Sequence, residues 1–192
     1  MKKWKGCLVV LLTWGGMPAL AAADQISYSH LEAGYQRMTG DGSFDGYFFR
    51  GAVQVTDSVY LAAGYDELED SGVSQEIMTL RAGLAVPLQD GLDAYGELGL
   101  VRAEVAVSVP GLGTFSEKET GYQLEAGARM AMASRHELRG FLRSVDVDGY
   151  DETFLGAQGV LHVAPRVGVH AGVSRLFDAS EFLFELGVRV NF

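Results

Sequence analysis

From Glu181 to Phe192 almost every second residue is apolar. Phe182, Phe184, Leu186, Val188, Val190 and Phe192 share one parity, and Glu181, Glu185, Gly187, Arg189 and Asn191 share the other. Successive side chains of an extended chain point to opposite faces, so the segment reads as a strand with one apolar and one wet face. Its backbone donors and acceptors must pair with further strands, and the chain supplies them. Ten strand-like runs cover approximately Tyr28 to Arg37, Gly46 to Val55, Val59 to Leu68, Gln75 to Val86, Leu92 to Val109, Thr114 to Met132, His136 to Val145, Glu152 to Val163, Val167 to Leu176, and Glu181 to Phe192.

No helical periodicity competes with this pattern, and 25 glycines against four prolines suit many strands joined by turns. The connections alternate. Thr56 to Ser58, Pro87 to Gly91, Ala133 to Arg135 and Ala164 to Arg166 are tight, whereas Thr39 to Asp45, Glu69 to Ser74, Pro110 to Gly113, Asp146 to Asp151 and Asp178 to Ser180 are mostly longer and more acidic. A tilted strand needs roughly 9 to 11 residues to cross a bilayer, and most runs keep one parity free of charge over that length. In the fifth, Leu92, Ala94, Gly96, Leu98 and Leu100 face outward and Arg102 and Glu104 follow, so the lipid zone is expected to end there, with the hairpin to Gly113 projecting above it. The expected fold is all-β: a closed antiparallel up-and-down transmembrane barrel of ten strands, with eight as the alternative.

At the other end, Lys2, Lys3 and Lys5 precede an apolar stretch from Cys7 to Trp14 and the small residues Ala19 to Ala23, the pattern of a secretory signal peptide. The mature chain is therefore expected to begin at Ala22 or Asp24, with residues 1–23 as the cleaved signal and 24–192 as one barrel domain. Cys7 leaves with the signal, so the mature chain has neither disulfides nor thiolate sites. Loss of the three lysines takes the formal charge from -10 to -13, which argues against nucleic-acid binding.

The parity of each run places Glu32, Glu97, Glu125, Glu137 and Glu185 inside, with Arg50, Arg81, Arg129, Arg139, Arg143 and Arg189. Folding each hairpin about the middle of its connection sets Glu32 opposite Arg50, Arg81 opposite Glu97, and Glu125 opposite Arg143. Unpaired charges in a narrow interior would cost several kcal/mol each, so a charge-paired, side-chain-filled lumen is expected; pairs that exchange partners to pass ions are the alternative. Tyr35, Tyr47, Tyr65 and Tyr122, with Phe182, form an expected outward aromatic girdle at the long-loop end. A recurrent Glu-x-Gly, at Glu32, Glu97, Glu125 and Glu185, puts an inward glycine where the interior is crowded.

The signal peptide, the alternating strands and the terminal aromatic together resemble the small bacterial outer-membrane β-barrel proteins of the OmpA/OmpX type, over essentially the whole mature chain. Glu185, Gly187, Val190 and Phe192 match the C-terminal assembly signal of such barrels. The resemblance implies an outer-membrane location, outer-membrane lipid and lipopolysaccharide as surroundings, and the barrel assembly machinery and periplasmic chaperones as partners during biogenesis. No nucleic acid and no cofactor are expected. Best-known members have eight strands and some carry a peptidoglycan-binding domain; here ten strands are counted and no such domain is expected after Phe192.

The implied role is structural or at the surface, with a narrow channel for ions or small solutes as one alternative and an adhesin as the second, for which Leu112, Phe115 and Tyr150 are the exposed anchors. Enzymes on such barrels need a Ser/His or Asp/His constellation. His30, His136, His162 and His170 show none, since Ser29 points away from its neighbour His30 and Ser174 lies too far along the strand from His170. The expectation is a non-enzyme. Asp146, Asp148 and Asp151 resemble part of a calcium loop but lack the full spacing, so no metal is expected.

Overall fold

The computed structural model describes residues 26–40, 42–132, 135–147, 150–177 and 179–192. The expected signal peptide with Cys7, and also Asp41, Asp148 and Asp178, lie outside the described residues. Ten strands follow in chain order: β1 (His30–Thr39), β2 (Ser43–Gln54), β3 (Val59–Asp70), β4 (Val73–Gln89), β5 (Leu92–Val109), β6 (Gly113–Met132), β7 (His136–Val147), β8 (Tyr150–Ala164), β9 (Val167–Leu176) and β10 (Phe182–Asn191). Each pairs antiparallel with its sequence neighbours, and β10 returns to β1, closing the barrel. Closure abolishes free strand edges, the condition for a sheet to cross lipid. At the seam His30 faces Asn191 and Thr39 faces Phe182, and the Phe192 N–H donates to the Ser29 carbonyl at 3.1 Å.

The alternation read from the sequence sorts the side chains. Phe49, Leu80, Leu98, Leu100, Leu124 and Leu186 are exposed on the outer wall, while Phe48, Tyr60, Tyr95 and Phe141 are buried inside. In water such an outer wall would be an aggregation surface, whereas in a bilayer it is solvated by acyl chains.

The connections at the acidic end are shorter than expected. The interval Glu69 to Ser74, read as a loop, is strand up to Asp70 and again from Val73, joined only by Ser71 and Gly72. Both have positive φ, 46° and 89°, as in the two-residue turn whose twist matches that of a hairpin. Likewise β4, β5 and β6 run for 17, 18 and 20 residues, well beyond the ~9 to 11 a membrane crossing needs. The acidic end is thus built from strands continued into water, because backbone pairing does not require an apolar side chain.

The tight turn after β4 also differs. It is centred on Asp90-Gly91, with Gly91 at φ 72°, and Gln89 pairs with Leu92 after a bulge at Pro87 to Gln89. Folding about the middle of Pro87 to Gly91 misplaced the register by two residues. An Asp-Gly pair is itself a strong hairpin signal, and it marks the true centre.

Candidate functional site

The lumen is the site that these strands assemble. Inward parity on the ten strands brings six arginines and six acids into ion pairs in the interior. Arg50 pairs with Asp66 and, at 2.6 Å, with Glu185. Arg81 reaches Glu97 at 2.8 Å, and the Tyr60 hydroxyl donates to the same carboxylate at 2.8 Å. Glu125, fully buried, accepts from Arg139 and from Arg143 Nε at 2.8 Å, and its Oε1 also takes the Tyr95 hydroxyl at 2.7 Å. Towards the end where the termini lie, Arg189 bridges Glu32 (2.5 Å) and Glu137 (2.8 Å), and Arg129 binds Glu137 at 2.5 Å.

Of the three pairings read from the hairpins, Glu125 with Arg143 has both the register and the contact. Glu32 does stand opposite Arg50, but the two side chains part: Glu32 turns to Arg189 on its other flank and Arg50 turns to Asp66 and Glu185. A strand in a closed barrel has two neighbours, and a hairpin shows only one. Arg81 stands opposite Gly99, not Glu97, yet it still binds Glu97, because diagonal neighbours lie within reach of a long side chain.

Gly99 is what permits that reach. A Cβ there would collide with the Arg81 side chain, which lies across the glycine towards Glu97. The same device recurs at the other Glu-x-Gly sites. Tyr95 lies across Gly127 to reach Glu125, Phe48 covers Gly34, and His170 covers Gly187. Each glycine vacates the volume that a large residue on the paired strand fills.

Sequence reasoning missed Asp66 and the inner tyrosines Tyr28, Tyr60 and Tyr95. Asp66 shares parity with the inward Tyr60 and Ala62 of β3. Tyr28 stacks on Tyr60 with ring centroids 4.6 Å apart and donates to Asp93 at 3.2 Å. The Arg129 guanidinium sits 4.3 Å above its ring and donates to the Ser27 carbonyl at 3.2 Å. Residues just ahead of β1 therefore fold into that mouth of the lumen. Between these layers, among the described residues, lies a small cavity of about 40 Å³, lined among others by Tyr60, Arg81 and Glu97.

His170 is buried against Gln158 (2.5 Å) and edge-on to Phe48 (5.3 Å), with Glu32 at 3.9 Å. Ser174 is buried on the same inward face, four residues further along β9. Asp146 and Asp151 face each other across β7 and β8. On the outer wall Tyr35, Tyr47, Tyr122 and Phe182 are exposed and Tyr65 is half-buried; Tyr35 meets Tyr47 edge-on at 6.0 Å and bonds Asp45. Beyond the girdle Lys118 Nζ lies 2.9 Å from Glu104 and holds that carboxyl below its usual range.

If Arg81 and Glu97 depend on each other, Arg81→Ala should strand a buried carboxylate and cost about 3 kcal/mol, while the double change to apolar residues should cost much less. Urea unfolding of the four proteins in lipid vesicles reads the coupling; additive single changes would dissolve the pair.

Residues 7–161 match the model of the family described as outer membrane protein beta-barrel domain. No curated protein matches the chain. Among solved structures, the N-terminal β-barrel domain of Pseudomonas aeruginosa OprF is 18% identical, with 85% of this chain and 98% of that one covered at a TM-score of 0.48. Neisserial surface protein A is 16% identical (85% and 95% covered, TM-score 0.43). Ail, the attachment invasion locus protein of Yersinia pestis, is 16% identical (85% and 97% covered, TM-score 0.43).

Proposed function

Because the chain belongs to the outer membrane protein β-barrel family and so resides in the bacterial outer membrane, we propose that it is a sealed, non-enzymatic barrel whose role there is structural or at the cell surface. The observation that carries this reading is the lumen: its buried arginines and acids are engaged with one another, and the space between them is small, about 40 Å³, room for a few waters. Conduction through it would require several charge-assisted bonds to break together, each short and poorly hydrated. Residues 1–23 act in this reading as the export signal, and Glu185, Gly187, Val190 and Phe192 as the signal for the assembly machinery.

Single-channel recording from the refolded barrel in a planar bilayer tests the proposal. The expected trace is silent in molar KCl, with no discrete steps at either polarity. Regular steps from protein verified as folded would reject the plug in favour of the narrow channel. The surface-attachment reading draws on one observation: Leu112 and Phe115, 75% and 63% exposed, stand at the tip of the projecting β5–β6 hairpin, where apolar anchors have no lipid to meet.

A further inference from the structure

The arginines and acids of the lumen balance by charge but not by hydrogen bonds. A guanidinium carries five N–H donors and an ionised carboxylate about four acceptor sites, so equal numbers leave donors over. Two tyrosines widen the excess: the Tyr60 hydroxyl donates to Glu97 at 2.8 Å and the Tyr95 hydroxyl to Glu125 at 2.7 Å. The surplus has a place. Arg81 binds Glu97 through Nη1, whereas its Nε is buried and meets no acceptor among the described residues. The Nδ1 of His30 is buried without a partner in the same way. Both side chains line the cavity of about 40 Å³.

The walls of that cavity are cationic. All six arginines of the network line it, but among the described residues Glu32 and Glu97 are the acids that do. Both are already claimed, Glu32 by Arg189 at 2.5 Å and Glu97 by Arg81 and Tyr60. Asp66, Glu125, Glu137 and Glu185 bind the same guanidinium groups without lining the cavity.

We propose that this cavity holds one small inorganic anion of halide size, chloride in the bacterial envelope, accepting from Arg81 Nε inside the ring of guanidinium groups. Size and charge choose the occupant. The volume has room for a few waters and for no organic acid, and a doubly charged oxyanion would bring two charges into a lumen that is already neutral. Water is the competitor. A guanidinium N–H bonds an anion more strongly than a neutral acceptor, the more so where the local dielectric is low. The site goes beyond the sealed-barrel reading and does not depend on it, because it needs the excess of donors and not a closed path.

Crystals of the refolded mature barrel grown in sodium bromide test the site by anomalous diffraction. One bromide is expected in the cavity, within hydrogen-bonding distance of Arg81 Nε. In parallel, the temperature at which the barrel loses its unboiled gel mobility is measured in mixtures of chloride and gluconate at constant ionic strength. It should rise with the logarithm of chloride concentration, as binding to the folded state alone requires. The double variant Arg81→Leu, Glu97→Leu keeps the lumen neutral, and it should lose both the bromide and the chloride dependence. Bromide confined to arginines outside the lumen, a midpoint indifferent to chloride, or a folded double variant that keeps the parental response overturns the site. If the double variant does not fold, the bromide map of the parent decides alone. Single-channel steps from a barrel that holds the bromide would end the plug and leave the site, while a silent barrel with an empty cavity would end the site and leave the plug.

Discussion

Replacing Glu125 with alanine is expected to destabilise the refolded barrel by about 3 to 5 kcal/mol, the range for breaking a buried ion pair from one side. Glu125 is the most heavily subscribed acid in the lumen. Its carboxylate takes Arg139, Arg143 and the Tyr95 hydroxyl, and no part of it reaches solvent. Alanine leaves two guanidinium groups facing each other in a poorly hydrated interior, with Arg139 keeping only Tyr95, to which its Nε donates at 2.7 Å. Glu125→Gln should be milder, since an amide oxygen can still accept from one arginine and from Tyr95. Equilibrium unfolding in urea, with the barrel in lipid vesicles, gives the ranking directly. If Glu125→Ala lies within about 1 kcal/mol of the parent, the arginines have found water, and the sealed-lumen proposal falls with the energetic argument.

Gly187→Val is expected to abolish refolding outright, both in detergent and in cells. A Cβ at this position meets the His170 imidazole and the Ala33 carbonyl of the facing strand. Gly187 also stands opposite Gly34, across the β1–β10 seam that closes the barrel. The imidazole is held by Gln158 and Phe48 and cannot swing away cheaply, while the carbonyl belongs to the closing ladder, so the added isopropyl group forces the strands apart where no other edge can compensate. Phe192→Asp makes the contrast. Phe192 is exposed on the outer wall and packs nothing inside, so the purified variant should still refold in detergent, but it should fail to reach the outer membrane if the assembly machinery reads the terminal aromatic. Heat-modifiable mobility in vitro and membrane fractionation in cells separate the two outcomes. Refolded Gly187→Val with parental stability would refute the packing argument, and normal outer-membrane levels of Phe192→Asp would refute the assembly role.

Facing was legible in the chain because the side-chain period of a strand is two and one face meets lipid. Parity alone places Glu32, Glu97, Glu125, Arg129 and Arg189 inside and Tyr35, Tyr47 and Tyr122 outside, since a charge on the lipid side would cost too much to be tolerated. Parity also holds information that went unread: Asp66, Tyr60 and Tyr95 share it with undoubted lumen residues, and Asp90-Gly91 marks a turn centre that the surrounding proline obscured. What parity cannot carry is the choice of partner. Arg189 and Glu32 lie 157 residues apart in the chain and meet only because β10 closes onto β1, and Arg50 selects Asp66 and Glu185 over the Glu32 directly beside it. Alternation along single strands thus determined which residues enter the lumen. Closure, which gives every strand a second neighbour, together with the glycines that let Arg81, Tyr95 and His170 lie flat, decided how those residues fill and neutralise it.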